Sequence, residues 1–250
     1  MDMVGWLLEE ERSSWRLQLN QTNLMGLRVL RAGVPRPLSE KRLLRRLDRA
    51  AARLARAGVR RTLAAPGFSH WGLLAEYGLR PVDPEPLCQA LAAPLALAEL
   101  ARQGIPPAAG TVALAGRRVN RPLFQAALAL CPQVRTLIID VPSGGTELAD
   151  YLRREFGAAA LTASSAARPQ ATVCFAGERT APGALYLCGP APELAGFQLR
   201  PPSAVPPEAE SLPLLALLWE AGLLSAGDIQ IVPAPLSLPA GTASSGSPLT

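Results

Sequence analysis

The stretch that most constrains this chain is residues 111–141, TVALAGRRVNRPLFQAALALCPQVRTLIIDV. Thr111 to Ala115 is short, almost wholly apolar and closed by Gly116, the pattern of a strand buried on both faces. Asn120 is placed to cap the next helix, and Pro122 suits its first turn. Leu123, Phe124, Ala127, Leu128 and Cys131 recur at helical spacing before Pro132 stops them. Arg135 to Val141 then reads as a second buried strand. Strand, helix and strand in about 30 residues predicts a parallel βαβ unit with a right-handed crossover.

Such a unit binds a dinucleotide when glycines stand at three set places after its first strand. Gly116 occupies the first place, but Arg118 and Arg121 stand at the next two, where side chains fill the space of a pyrophosphate. Asp140 lies 24 positions after Gly116, about where an acid binds a ribose hydroxyl in an intact site. Arg117, Arg118 and Arg121 offer charge in place of the lost loop; the plainer reading is a solvated turn, with Asp140 ending a strand. The next turn, Ser143, Gly144, Gly145 and Thr146, enters a helix that Thr146 can cap, and amides at such a start can hold an anion. No lysine follows as in a P-loop. The candidate ligand edge is therefore Gly116, Arg117, Arg118, Asp140 and residues Ser143, Gly144, Gly145 and Thr146. NAD(P) or another nucleotide is the alternative cofactor; none is predicted outright.

The rest of the chain narrows the chemistry by what it lacks. His70, the sole histidine, sits in PGFSHW after a predicted strand at 60–65, where α/β folds keep chemistry. It is the weak candidate catalytic residue, because a general base needs an orienting acid that the sequence does not supply. Cys88, Cys131, Cys174 and Cys188 show no close paired spacing, so no metal site is predicted, and reduced thiols in a cytoplasmic protein are expected. The start, MDMVGWLLEEERSS, has no secretion-signal pattern. The apolar runs 87–100 and 212–224 fall short of the ~20 residues of a membrane span.

Charge is unevenly placed. The chain carries 24 arginines and one lysine, an imbalance with the abundant Ala, Pro and Gly that points to GC-rich, bacterial-type coding. Residues 1–61 hold 14 basic and 6 acidic side chains, net +8, and residues 62–250 hold 11 and 14, net −3. Ser39 opens a predicted helix to about Ala57, with Leu43, Leu47, Ala50 and Leu54 as its apolar stripe. Arg42, Arg45, Arg46, Arg49, Arg53 and Arg56 face outward, which makes residues 42–56 a candidate surface for an anionic partner. A solvated face is the plainer reading, and the lack of interleaved aromatics argues against nucleic acid.

Elsewhere the patterns predict a hairpin from 15–19 and 27–30 within an N-terminal segment 1–33, and a short helix at 71–77. They also predict one apolar helix over 87–103, kinked at Pro94, and a third parallel strand at 158–161. Short strands follow at 171–175, 184–187 and 197–199, the first two joined as a hairpin through 178–183. Residues 201–232 read as a linker, a helix and a last strand packing on the α/β domain of 34–200, and residues 233–250 as a disordered tail. No internal repeat of fixed period is present.

The expected fold is α/β: a mainly parallel sheet with flanking helices from about 60 to 161, degenerate Rossmann-like, with an additional short-stranded C-terminal portion. Element order, Gly116 and Asp140 give residues 60–161 a layout that resembles small dehydrogenases such as the shikimate dehydrogenase class. The second and third glycines depart from that pattern, so the resemblance implies a fold and not an activity. With no nucleophile motif and no metal cluster, the expected role is non-enzymatic, regulatory or scaffolding, through a protein partner. The alternatives are binding of a nucleotide or phosphorylated small molecule at the βαβ edge, and an anionic partner on the arginine helix.

Overall fold

A computed structural model describes residues 3–10, 17–35, 39–163, 167–177 and 183–234. The first sheet is built from β1 (Val4–Glu10), β2 (Gln18–Leu24), β3 (Leu27–Pro35), then α1 (Glu40–Arg56), β4 (Arg61–Leu63), α2 (Trp71–Glu76) and β5 (Arg80–Pro81). Its order is β2-β3-β1-β4-β5, with β2 antiparallel on the edge and the other neighbours parallel. Two expectations change here. Residues 15 and 16 of the strand expected at 15–19 lie outside the described residues; the described strand runs from 18 to 24, further than expected, and the reversal is confined to Met25 and Gly26, both at positive φ (51° and 92°). Asn23 Oδ1 holds that tight turn by accepting from the Gly26 amide at 2.7 Å. The strand at 61–63 pairs with β1, so it belongs to this sheet and not to that of residues 111–141.

Helix α1 covers one face of the first sheet. Leu47, Ala50, Ala51 and Leu54 pack with Leu7, Ala32, Val34, Leu74 and Leu79. Gly58, at φ +83°, takes the left-handed position just past its end. Next come α3 (Glu85–Ala90) and α4 (Ala92–Arg102), two helices where one kinked helix was expected. Pro94 has no N–H for the carbonyl of residue 90, and the chain restarts a helix at 92 with that proline in its first turn.

The second sheet comprises β6 (Thr111–Ala115), α5 (Arg121–Leu130), β7 (Thr136–Asp140), α6 (Gly145–Phe156), β8 (Ala160–Thr162), β9 (Ala171–Cys174), β10 (Leu185–Tyr186) and β11 (Glu193–Leu194). Its order is β11-β10-β9-β6-β7-β8. The βαβ unit is present as expected: β6 and β7 run parallel, in register from Thr111↔Thr136 to Ala115↔Asp140. Strand β8 adds the third parallel strand. Strands β9 and β10 are not a hairpin; they pair parallel, Leu185 against Val173 and Tyr186 against Cys174. Part of their connection, residues 178–182, lies outside the described residues, as do residues 235–250 of the expected tail. Strand β12 (Phe197–Arg200), helix α7 (Ser211–Glu220) and β13 (Gln230–Pro233) complete the chain, with β12 and β13 an antiparallel ribbon.

The fold is mixed α/β with parallel sheets flanked by helices. One apolar cluster spans both sheets. It takes Val4, Trp6 and Leu63 from the first, Leu114, Leu137 and Leu185 from the second, and Leu87, Leu95, Leu100, Leu214 and Leu217 from α3, α4 and α7. Polar ties reinforce it: Arg61 meets Glu220 at 2.5 Å, and the Gly189 amide donates to Glu85 Oε2 at 2.7 Å. Among the described residues no helix is long and apolar enough to cross a membrane.

Candidate functional site

From β6 the chain moves outward to β7 and β8, then returns to the opposite flank of β6 as β9 and β10. The winding direction therefore reverses between β6 and β9. In open α/β sheets, the crevice beyond the carboxyl ends of two such strands is where ligands sit. A cavity of about 410 Å³ lies there, lined by Gly116, Arg117, Arg118, Asn120, Ser143, Phe175 and Ala176.

Backbone bonds fix its walls. The Phe175 amide donates to the Ala115 carbonyl at 2.8 Å, which ties the end of β9 to the end of β6. The Gly116 amide donates to the Asp140 carbonyl at 3.1 Å, and the Val119 amide to the Ser143 carbonyl at 2.9 Å. The loop after β6 is thus stitched to the loop after β7, and Arg118 bridges Ser143. A Cβ on Gly116 would approach Leu123 Cδ1 to 3.2 Å, so glycine there permits close loop–helix packing. Arg117 and Arg118 are exposed at the rim, and neither forms an ion pair among the described residues.

The start of α5, where a pyrophosphate sits in an intact dinucleotide fold, is already occupied. Asn120 Oδ1 accepts the Leu123 amide at 3.0 Å, and the Asn120 carbonyl takes that of Phe124 at 2.9 Å. Pro122 has no amide hydrogen to give. Of the first-turn amides that leaves only that of Arg121, so backbone donors offer an anion little at this helix start, whereas guanidinium groups stand exposed at the rim.

Four of the expected site residues line this cavity: Gly116, Arg117, Arg118 and Ser143. Asp140, Gly144, Gly145 and Thr146 do not. Gly144, at φ +81°, holds the capping position expected of Thr146, and Val119 packs against it. Gly145 is buried on Val141 and Ile139. Asp140 contributes its carbonyl to the loop, while its exposed carboxylate sits close enough to influence Cys174. The Cys174 thiol is pushed up to about 11 by burial first, then by Cys188 and Asp140. Those two cysteines do approach one another, through parallel strands, and both are free thiols.

His70 lies in the other sheet's loop, immediately before α2, with its ring edge-on to Phe68 at 5.8 Å between centroids. It does not line the cavity. Among the described residues no group of three His, Cys, Asp or Glu side chains could hold a metal ion. Phe175 and Ala176 are site residues that the sequence did not mark; their place follows from β9 lying beside β6, which leaves no local trace. A second cavity, of about 540 Å³, lies between α3, α5 and α7, where Asp83, Glu85 and Gln89 face Arg121, Gln125 and Trp219. Its Glu85 carboxylate already accepts from Gln89 Nε2 at 2.7 Å as well as from Gly189.

No family model matches the chain, and no curated protein matches it. Among solved structures it is similar to an L-tryptophan dehydrogenase from Nostoc punctiforme, at 13% identity and a TM-score of 0.30, over 69% of this chain and 56% of that one. A phosphoglycerate oxidoreductase from Vibrio cholerae O395 matches at 13% identity and a TM-score of 0.29, over 70% of this chain and 66% of that one. An arylmalonate decarboxylase matches at 13% identity and a TM-score of 0.21. The chain spans less than two thirds of the length of the first two of these structures. Likeness at this level transfers no activity.

Proposed function

We propose that this protein binds a small phosphorylated molecule at the cavity between β6 and β9, held by Arg117 and Arg118 and oriented by the Ser143 hydroxyl. The observation that carries this reading is the placement of two exposed guanidinium groups, free of ion pairs among the described residues, at the point where the sheet's winding reverses. Guanidinium forks match phosphate oxygens in pairs and keep their charge at any working pH. The capped Leu123 amide and the proline at 122 at the start of α5, and the absence of Asp140 from the lining, favour a compact phosphorylated ligand over a dinucleotide such as NAD(P). The reading is one of binding, which suits a sensor or regulatory role.

The test is thermal shift with inorganic phosphate, a sugar phosphate, ATP, NAD and NADP. A ligand at about 100 times its Kd stabilises the folded state by ~2.7 kcal/mol. For a chain of this size that is a rise in Tm of roughly 5–10 °C. The rise is expected with at least one phosphorylated probe and is expected to vanish in the Arg117→Ala/Arg118→Ala double variant. A Tm that no probe moves, or a shift that survives the double variant, would overturn the reading.

A further inference from the structure

Helix α1 carries a second cationic surface, remote in sequence from the βαβ edge. Arg42, Arg45, Arg49, Arg53 and Arg56 are all exposed. Their spacings of three, four, four and three residues place them in one line along the helix. Over 14 residues that line is ~21 Å long. None of the five is in an ion pair among the described residues, and the one polar contact is Arg53 Nη1 to the Leu17 carbonyl at 3.4 Å. The nearby carboxylate of Asp48 is engaged by the Tyr77 hydroxyl, and Glu76 lies on the same flank. Past the helix, Arg60 and Arg80 are exposed on adjoining chain, joined where the Arg80 amide donates to the Arg60 carbonyl at 2.9 Å.

The composition of this face selects its partner. The apolar side of α1 is spent on the first sheet, through Leu47, Ala50, Ala51 and Leu54, so it has nothing to insert into a bilayer. A protein partner would need an apolar or aromatic anchor at the centre of the contact, and the exposed stripe offers none. The missing aromatic platforms, which in the sequence argue against nucleic acid, bear on single strands, whose bases need a surface to stack on; a duplex keeps its bases stacked and presents phosphates to a basic surface. What remains is a partner whose affinity comes from regularly spaced charge alone. We infer that the arginine stripe of α1 docks on the phosphate backbone of a nucleic-acid duplex, without reading its bases. Its ~21 Å would cover about six base steps at 3.4 Å each. This surface is independent of the proposed ligand cavity.

The test is fluorescence anisotropy of the full chain with a labelled 20-base-pair duplex across 25–300 mM salt. Five arginines displacing counterions predict a slope of log K against log[salt] of about −4 to −5, falling in magnitude by about 2 with two arginines removed. Arg45→Glu/Arg49→Glu is expected to weaken binding at least tenfold at 50 mM salt, while the same reversal at two exposed arginines of the second sheet and its helix, Arg135→Glu/Arg154→Glu, leaves it within about twofold. All four positions are exposed, and an unaltered circular-dichroism melt shows that the variants fold. Absence of binding at 25 mM salt, a charge reversal without effect, or preferential binding to vesicles of anionic lipid or to an acidic polypeptide would each overturn the inference.

Discussion

A single buried thiol shows how far one residue's environment reaches into the behaviour of the chain. Cys88 sits inside α3 with its thiol pushed up to about 12, by burial first and then by Asp83 and Glu85. The unfolded chain loses that proton near pH 9, so between about 9 and about 12 the folded state holds a proton that the unfolded state has released. Stability from this group is fully present below pH 9 and is lost as pH rises toward 12, at up to ~1.4 kcal/mol per pH unit. Cys174, pushed up to about 11, acts in the same direction over a narrower window. Urea midpoints at pH 8, 9 and 10 should therefore fall less steeply in Cys88→Ala, and least in Cys88→Ala/Cys174→Ala. Parallel pH profiles in all three proteins would contradict the burial argument. None of this was legible in the sequence, where four widely spaced cysteines predict reduced thiols and no metal site but not the burial of any one of them. The histidine was equally opaque: His70 follows a strand, but that strand belongs to the other sheet.

Elements formed where the sequence carried a local period or a stop signal. The unit from β6 to β7 is legible because its apolar strands, its cap and its terminating proline all lie within 31 consecutive residues. Strand β1 carries no such signal, because VGWLL has no alternation and its partners β3 and β4 lie far along the chain. The parallel pairing of β9 with β10, where the sequence predicts a hairpin, leaves no local trace for the same reason: order in a sheet is a non-local property. Half of the candidate site followed the same division. Gly116, Arg117 and Arg118 sit on the predicted turn, whereas Phe175 and Ala176 arrive from across the sheet. The cap of α5 is where a local signal was read correctly and can be measured. Removing Asn120 Oδ1 leaves the Leu123 amide without its partner at 3.0 Å. Asn120→Ala should cost ~1 kcal/mol of unfolding free energy in urea, and Asn120→Ser should recover most of it. An alanine variant as stable as the parent would show that the cap contributes nothing.

The whole molecule joins two sheets that local reading took as one continuous sheet preceded by a hairpin. What joins them is a contiguous apolar cluster in which Trp6 of β1 and Leu114 of β6 are members, with leucines of α3, α4 and α7 in the same cluster. Contiguity of the core predicts cooperativity, since neither sheet can open without exposing leucines that the other also buries. We therefore expect the chain to unfold as a unit, and the tryptophans provide a clean test. All four tryptophans lie outside residues 107–200; Trp15 lies outside the described residues, and of the others Trp6 of β1 and Trp71 of α2 report on the first sheet and its helices and Trp219 on α7, none on the second sheet itself. Leu114, fully buried in β6, is in the second sheet. Its truncation to alanine removes core contacts and leaves a cavity, at a cost of about 2–5 kcal/mol. If the sheets are coupled, Leu114→Ala lowers the fluorescence midpoint in urea by the same amount as the midpoint followed by far-ultraviolet circular dichroism. If the second sheet melts alone, circular dichroism shifts in part while the tryptophan transition stays where it was. That result would make the two sheets separate folding units despite their shared core.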